Sequence, residues 1–249
     1  MVQWGKRTEK GDFVYLYLVR HGDPNYALDC LTERGKLQAE AVAKRLQRAG
    51  ITQVYSSPMG RAKETAQPTC DLLGLPMTIE PWSHEIKSDH MRSQTFPSGD
   101  PTVLFKVQNS YYLEDGQYDI PFSEGASAPG FRESDIEIAR KEIVEGGRDF
   151  LARLGYREEN GVYRIENPNE ERVVLFCHGC FLFTWISVLL HIPLHVAWAG
   201  FGFTHTAMTV LRFANNPNGI TSPRCLTLSD TSHLYAHGPD LNYSGGAPI

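Results

Sequence analysis

Apolar runs and amphipathic segments alternate along the first 80 residues of the chain. The run FVYLYLV, residues 13–19, is rich in aromatic and β-branched residues and predicts a buried strand. Residues 32–49 have helical spacing of apolar positions, with Thr32 placed as the N-cap and Gly50 as the stop. The chain therefore begins with a strand followed by a helix.

Strand and helix patterns continue in the same order. ITQVYSS and MTIE predict strands, and the helix between them should begin at Pro58 and end at Gly74, with Pro68 expected to kink or interrupt it. A further helix is predicted from Ser134, in a possible capping box, to about Leu154. RVVLF then predicts a strand, FLFTWISVLLH a helix, and AMTVLRF and RCLTLS closing strands. This order predicts an α/β fold, a mostly parallel central sheet flanked by helices on both faces.

Periodicity is lost between about residues 88 and 133, where Gly, Pro, Ser and aromatic residues are frequent. The segment carries apolar side chains that favour burial, among them Phe105, Tyr111, Tyr112 and Phe122. We therefore expect a single domain over residues 1–249, in which residues 88–133 form a lid-like insertion.

The charge balance limits the classes of partner. The 249 residues carry a net charge of −5, which favours neither nucleic acid nor an anionic membrane as a partner. The N-terminal MVQWGKRTEKGDF lacks the apolar core of a signal peptide, so a cytoplasmic location is expected. Residues 173–194 approach the length of a membrane span, but CHGC interrupts them, which favours a buried strand, turn and helix instead.

Five cysteines, an odd number, suggest a reducing compartment. Cys177 and Cys180 form a C-x-x-C pair, but nothing before them resembles a thioredoxin fold, and no second ligand pair follows at zinc-finger spacing. Packing is the favoured role for both thiols, and no metal or cofactor is predicted.

Two predicted strands end in a histidine followed by glycine. The first ends in Arg20-His21-Gly22 and the fourth in Cys177-His178-Gly179, while Arg61 lies early in the helix after the second strand. A single His-Gly is more often part of a turn, and a single Arg is usually solvated. Because ligands of open α/β sheets lie at the carboxyl ends of the strands, these residues together predict a site for a doubly charged oxyanion, most naturally a phosphoryl group.

The motifs LVRHGDP, VYSSPMGRAKETA and VVLFCHG together resemble the histidine phosphatase superfamily, also called phosphoglycerate-mutase-like. PWSHEI and LTLSDTSHL extend the resemblance from about residue 14 to residue 234. The resemblance implies a metal-independent phosphomonoester hydrolase that acts on a small-molecule phosphate ester. It leaves the oligomeric state open.

The resemblance also implies a role for individual residues. His21 matches the nucleophile that takes the phosphoryl group, and Arg20, Arg61 and His178 match the residues that bind its oxygens, with Gly179 allowing close approach of the backbone. Glu85 lies where the family keeps its general acid, although His84, Asp89 and His90 are nearby alternatives.

Three alternative functions are weighed against hydrolysis. The mutases of the family carry Trp-Asn and Thr-Gly-Trp stretches after Arg-His-Gly, and RHGDPNYALDCLTERG lacks both, which favours hydrolysis over a mutase. Asn25 lies near the phosphate-contacting Asn of the mutases at a shifted spacing.

A non-catalytic phosphate-binding module would be expected to lack the nucleophile or an arginine, and both are present. A redox protein would need Cys177 and Cys180 to be accessible.

Substrate choice should depend on the predicted lid. Its aromatic residues Phe96, Phe105, Tyr111 and Tyr112 favour an apolar or ring-bearing leaving group. Its cations would instead suit a second negative charge: Lys87, Arg92 and Lys106. A satellite core with solvated cations is an equally good interpretation of the same residues.

Overall fold

The structure, a computed structural model, describes residues 13–93, 102–104 and 127–236. The strands in chain order are β1 (Phe13–Arg20), β2 (Pro24–Asn25), β3 (Cys30–Leu31), β4 (Gln53–Ser56), β5 (Met77–Ile79), β6 (Arg92–Ser93), β7 (Thr102–Val103), β8 (Tyr156–Glu159), β9 (Val162–Ile165), β10 (Arg172–Cys177), β11 (Met208–Ala214), β12 (Ile220–Thr221) and β13 (Arg224–Asp230). The helices are α1 (Glu33–Gln47), α2 (Gly60–Leu73), α3 (Ile136–Arg153), α4 (Gly179–Leu190), α5 (Leu194–Gly200) and α6 (Ser232–Tyr235), and a 3₁₀ turn spans Pro81–Ser83.

A six-stranded sheet in the order β13-β11-β1-β10-β4-β5 forms the centre of the fold. The four strands from β1 to β5 in this order are parallel, and β11 runs antiparallel to both β1 and β13. The predicted fold class, a mostly parallel sheet between helices, is confirmed. The AMTVLRF and RCLTLS segments are the antiparallel strands that close one side of it.

Side chains alternate between the two faces of the sheet, as the apolar strand sequences require. On one face, strand residues pack against α1 and α2 in a cluster that includes Tyr17, Val19, Val42, Leu46, Val54, Ala66, Val174 and Phe176. On the other face, α3 and α4 cover a larger cluster that includes Leu16, Leu18, Ile143, Phe150, Val173, Leu175, Phe181 and Trp185. Because both faces are covered, the carboxyl edge of the parallel strands is the accessible part of the sheet.

The strand register aligns the residues that follow the parallel strands. Arg20 pairs with Cys177 at the ends of β1 and β10, and Phe176 pairs with Ser56 of β4. The residues immediately after these strands therefore emerge side by side at one edge. This register is the reason why the predicted strand ends converge.

The first two helices follow the sequence with one correction. The hydroxyl of Thr32 accepts from the amide of Gly35 at 3.1 Å as the predicted N-cap, and Gly74 ends α2 with a left-handed φ of 65°. The N-cap of α2 is Met59, not Pro58. The expected interruption at Pro68 is wrong, because α2 continues through it. A proline removes one amide donor, and α2 retains its packing against α1 and the sheet around that point.

A second, three-stranded sheet of β12, β9 and β8 was not anticipated from the sequence. Asn160 and Gly161 connect β8 to β9 with φ values of 53° and 83°. These positive values fit the Asn-Gly pair of a tight hairpin turn, so the sequence did contain an indication of this element.

The segment between β5 and the predicted lid is anchored on α3. The Glu80 carboxylate accepts from Arg153 Nη1 at 2.9 Å and Nη2 at 2.7 Å, and from Trp82 Nε1 at 2.8 Å. This bidentate pair, in which Glu80 is buried and Arg153 is half exposed, fixes the 3₁₀ turn that leads to Glu85.

Of the predicted insertion, the structure describes residues 88–93, 102–104 and 127–133, in which β6 pairs with β7 and Leu104 is buried. The apolar residues Phe96, Phe105, Tyr111, Tyr112 and Phe122, and the cation Lys106, lie outside the described residues. The lid therefore stays a prediction. Within the described ranges, none of the helices is long and apolar enough to cross a membrane.

Candidate active site

The buried side chain of His21 lies directly after β1, at the edge where the parallel strands end. The amide of His21 donates to Cys177 O at 2.9 Å, which continues the pairing of β1 with β10. A Cβ atom at Gly22 would lie 2.7 Å from the carbonyl oxygen of Gly35 in α1, so only glycine fits there without a shift. The glycine of the motif thus serves the packing of α1 against the strand end.

The tautomer of His21 follows from one hydrogen bond. Nδ1 lies 2.7 Å from the carbonyl oxygen of Gly22. Since a carbonyl can only accept, Nδ1 carries the hydrogen and Nε2 carries the lone pair. Burial, and then the charge of Arg20, hold the pKa of His21 well below its usual value. The imidazole is therefore neutral near neutral pH, which is the form a nucleophile needs.

His178 is the N-cap residue of α4 and is fully buried, with its ring centroid 5.2 Å from that of His21. Its Nε2 lies 2.7 Å from Ser57 Oγ, which accepts from the amide of Met59 at 3.3 Å. This contact forms in either tautomer of His178, because the Ser57 hydroxyl can donate to Nε2 or accept from it. The Nδ1 of His178 is buried and has no partner in the described part of the chain. In the tautomer with the hydrogen on Nδ1, this atom is a donor available to a ligand oxygen.

Two arginines flank the histidines. Arg20 Nη1 donates to the carbonyl oxygen of Phe203 at 2.5 Å, which fixes its guanidinium at the strand end. Arg61 is buried in the first turn of α2, with its guanidinium carbon 5.4 Å from the ring centroid of Tyr26. The Nε atoms of both arginines are buried without a partner among the described residues. They provide further donors with positive charge at the same place.

Asp29, a residue that the sequence did not single out, holds Arg61. Its Oδ1 accepts from Arg61 Nη1 at 2.5 Å and its Oδ2 accepts from the amide of Gly60 at 2.6 Å. Asp29 itself has a positive φ of 49° in the turn between β2 and β3. A Cβ at Gly60 would lie 2.1 Å from the Asp29 carbonyl oxygen, so the turn packs tightly on the start of α2. This ion pair presets the orientation of Arg61.

The carboxylate of Glu85 caps the N-terminus of α4 from outside the helix. Its Oε1 accepts from the amide of Phe181 at 3.0 Å and from its neighbour Ile86 at 3.0 Å, while Oε2 accepts from the amide of Cys180 at 3.3 Å. Burial raises the pKa of Glu85, and these amides together with Arg20 oppose that effect. A carboxyl group with a raised pKa can donate a proton more readily near neutral pH.

The residues named as alternatives to Glu85 for the general acid do not line the cavity next to the arginines. His84 Nε2 lies 3.6 Å from the carboxylate of Glu142 on α3. Asp89 is exposed and accepts from the amide of His90 at 3.1 Å. Of these neighbours, only Glu85 is among the described residues that line the cavity next to the arginines.

A cavity of about 800 Å³ adjoins this group of residues. One part of its lining consists of Arg20, Arg61, Glu85 and Gly179. Tyr26 also lines it, and its ring lies edge-on to His21 with the centroids 6.3 Å apart. The structure therefore brings the predicted nucleophile, the arginines and the carboxyl group together beside one open cavity.

Comparison with known proteins supports the resemblance seen in the motifs. Residues 16–101 match the family model described as histidine phosphatase superfamily (branch 1). The matched segment contains LVRHGDP and VYSSPMGRAKETA, two of the motifs that carry the resemblance. A probable phosphoglycerate mutase, GpmB, from Yersinia pestis is 29% identical over 189 residues, which cover 72% of this chain and 76% of that protein.

Solved structures with the histidine phosphatase fold cover most of the chain. A phosphoserine phosphatase from Entamoeba histolytica in complex with 3-phosphoglyceric acid has a TM-score of 0.58 at 21% identity, covering 89% of this chain and 99% of that one. A mycobacterial glucosyl-3-phosphoglycerate phosphatase bound to VO3 has a TM-score of 0.55 at 20% identity, covering 87% and 99%. These neighbours, at low identity, support the fold, and the superfamily supports an enzyme of phosphatase or mutase type.

The side chain of Asn25, another predicted site residue, is engaged in a local turn. Its side-chain oxygen accepts from the amides of Ala27 at 3.2 Å and Leu28 at 3.3 Å. Asn25 is not among the described residues that line the cavity. This side chain stabilises the turn after β2, and a phosphate contact from it stays a prediction.

His205 is a third buried histidine that sequence analysis missed. Its ring centroid lies 5.7 Å from that of His21, and its Nδ1 lies 3.4 Å from Asp23 Oδ1. Burial, reinforced by the charge of Arg20, lowers the pKa of His205 to about 4. The neighbouring Thr206 has a positive φ of 57°, a conformation that costs a β-branched residue about 1–3 kcal/mol. No local motif marks this position, since it meets His21 only through the long-range pairing of β11 with β1.

The C-x-x-C pair does not form a redox site. Cys177 and Cys180 are both buried, and burial raises the pKa of each thiol well above its usual value. A thiol held in the protonated form is a poor nucleophile, so the packing role favoured from the sequence fits the structure. The described residues contain no group of three potential ligands arranged to hold a metal ion.

Proposed function

We propose that the protein is a phosphomonoester hydrolase that works through a phosphohistidine on His21. One observation carries the proposal: three buried side-chain nitrogens of the arginines and the histidine beside His21 have no partner among the described residues. They are Arg20 Nε, Arg61 Nε and His178 Nδ1. Buried polar atoms are almost always satisfied, so three unpaired nitrogens, two of them on guanidinium groups, call for an anionic ligand with several acceptor oxygens. A phosphoryl group has that chemistry.

The first step transfers the phosphoryl group to His21. The lone pair on Nε2 attacks phosphorus, the bond between phosphorus and the ester oxygen breaks, and the protonated carboxyl of Glu85 gives its proton to the leaving oxygen. Charge that develops on the three equatorial oxygens is stabilised by Arg20, Arg61 and His178. The hydrogen bond from Nδ1 to Gly22 O stabilises the positive imidazole that results.

The second step releases inorganic phosphate. Glu85, now a carboxylate, takes a proton from a water molecule whose oxygen attacks the phosphorus of phosphohistidine. The bond between phosphorus and Nε2 breaks, and its electron pair returns to the imidazole. Glu85 ends protonated, as it began. Because the guanidinium groups and the imidazole supply the stabilising charge, we expect a chelator to leave the activity intact.

Hydrolysis is favoured over phosphoryl transfer between substrates by the segment after Arg-His-Gly. DPNYALDC lacks the Trp-Asn and Thr-Gly-Trp stretches by which the mutases of the family are recognised. The mutase name carried by GpmB of Yersinia pestis makes the alternative worth testing directly. Incubation with 3-phosphoglycerate should release inorganic phosphate or nothing, and formation of 2-phosphoglycerate would establish a mutase.

The nucleophile is tested with a matched pair of histidine variants. His21→Asn keeps a polar atom near the position of Nδ1 but removes Nε2, whereas His191→Asn changes an exposed histidine at the far end of α4, where Asn tolerates the positive φ of 54°. Hydrolysis of para-nitrophenyl phosphate in the presence of chelator should vanish in His21→Asn and persist in His191→Asn. Equal activity in both variants would mean that His21 is not the nucleophile.

A further inference from the structure

The cavity beside the proposed nucleophile continues beyond the phosphate-binding residues into an apolar compartment. The described residues that form this compartment are Ile86, Met91, Cys180, Phe183, Phe201 and Phe203. Together with the phosphate end, the cavity has a volume of about 800 Å³. Sites for drug-sized molecules occupy about 300–1,000 Å³. A glyceryl or seryl group would fill only part of this space.

The aromatic wall of the compartment is held rigidly to the phosphate end. Phe183 follows Gly179 by four residues on α4, so both lie on the same face of the helix, one turn apart. The ring centroids of Phe183 and Phe203 lie 5.1 Å apart, and that of Trp198 lies 5.7 Å from Phe183. The carbonyl of Phe203 also holds Arg20. One segment therefore fixes both a phosphate-binding arginine and the apolar wall.

Charge in the described lining is concentrated at the phosphate end. Beyond Arg20, Arg61 and Glu85, the only charged side chain among the described lining residues is Lys87, which is exposed. Except beside Lys87, a carboxylate on the leaving group would lie against phenylalanine and methionine side chains, where an unpaired charge is strongly disfavoured. An apolar ring there would instead gain the free energy of leaving water.

We infer that the natural substrate is a small-molecule phosphomonoester whose alcohol carries an apolar ring, which binds between Phe183, Phe201 and Met91. This inference rests on the proposed function for its phosphate end. It excludes phosphoglycerate and phosphoserine as preferred substrates. It arises from residues of α4, of the segment after α5 and, through Met91, of the described start of the predicted lid.

The test compares esters whose leaving groups differ in the ring and not in reactivity. 2-Phenylethyl phosphate and ethyl phosphate are both esters of primary alcohols, so a difference in kcat/KM reports on binding of the ring. We expect 2-phenylethyl phosphate to be the better substrate by about tenfold or more, from the apolar area that a phenyl ring buries. We expect 3-phosphoglycerate to be no better than ethyl phosphate. A phenylethyl-to-ethyl ratio near one, or a clear preference for 3-phosphoglycerate, would overturn the inference.

Variants test the compartment itself. Phe183→Ala should reduce the ratio of phenylethyl to ethyl phosphate toward one, while Tyr235→Ala, at a tyrosine that is 79% exposed on α6, should leave it unchanged. Phe201→Lys should raise kcat/KM for 3-phosphoglycerate relative to 2-phenylethyl phosphate. Misfolding would lower the activity on both esters alike, so it cannot produce this relative gain. The Phe201→Lys result therefore still tests the compartment if Phe183→Ala folds poorly. An unchanged ratio in both phenylalanine variants counts against the compartment.

A binding measurement separates this inference from the proposed hydrolysis. Calorimetry with 2-phenylethylphosphonate and ethylphosphonate, which cannot be hydrolysed, should show the same preference for the ring. Ring-dependent binding without turnover of any ester would overturn the hydrolysis and support the compartment. Turnover without a preference for the ring would support the hydrolysis and overturn the compartment. If neither turnover nor ring-dependent binding is observed, both proposals are overturned.

Discussion

Acid should destabilise the protein through His205, a buried neutral histidine next to the proposed nucleophile. Its pKa is lowered to about 4, first by burial and then by Arg20, with Asp23 opposing in part, whereas a histidine of the unfolded chain titrates near 6.5. Between these two values the unfolded state binds a proton that the folded state does not. The free energy of unfolding therefore falls as the pH falls from about 6.5 to about 4.

The two pKa values set the size of this effect. Full protonation in both states corresponds to a loss of about 3 kcal/mol, of which about 2 kcal/mol is already lost at pH 5. His21 and His178 also have lowered pKa values and act in the same direction. Their contribution remains when His205 is replaced, so a comparison of the wild type with His205→Asn isolates the part due to His205.

Urea unfolding followed by tryptophan fluorescence at pH 7 and pH 5 measures the effect. The wild type should lose about 2 kcal/mol more than His205→Asn between the two pH values. His191→Asn, a change at an exposed histidine, should follow the wild type. Equal losses in the wild type and His205→Asn would refute the assignment of a low pKa to this side chain.

Four further outcomes are expected from residues of the same site. Asp29→Ala should lower kcat/KM for para-nitrophenyl phosphate by about tenfold, because Arg61 loses the carboxylate that orients it, and an unchanged value would show that the ion pair is dispensable. Glu85→Gln should lower kcat for ethyl phosphate about 100-fold and much less for para-nitrophenyl phosphate, whose leaving group needs little protonation. In the wild type, kcat/KM for ethyl phosphate should fall as the pH rises through the raised pKa of Glu85, and a flat profile would contradict its role as the acid. Gly22→Ala should destabilise the fold by about 1–3 kcal/mol in thermal unfolding, since its Cβ would lie 2.7 Å from Gly35 O, and an unchanged Tm would disprove the close contact.

The sequence allowed the strand ends to be predicted because parallel strands place their carboxyl ends together whatever their exact register. Arg20, His21 and His178 could therefore be grouped without knowing a single distance. Arg61 followed from its place in the first turn of a helix after such a strand. The family resemblance supplied Glu85, whose environment the chain pattern alone did not reveal.

Residues that depend on the path of a loop could not be predicted in this way. Asp29 meets Arg61 because a turn with a positive φ lies across the start of α2, and no periodic pattern encodes that path. His205 meets His21 only through the pairing of β11 with β1. The hairpin at Asn160 is different, since an Asn-Gly pair between two short strands is a local sequence signal for a tight hairpin turn.

Glu85 has two roles, because the side chain proposed as the proton donor also satisfies amides at the start of α4. His178, the N-cap residue of that helix, makes no side-chain capping hydrogen bond, and the amides of Cys180 and Phe181 are satisfied by Glu85 instead. A related protein that had lost catalysis would still need an acceptor for these amides, so selection for stability would retain one at this position. Retention of a carboxylate at this position in a related sequence is thus weak evidence of enzymatic activity, and inactive relatives are better recognised by changes at His21 or the two arginines.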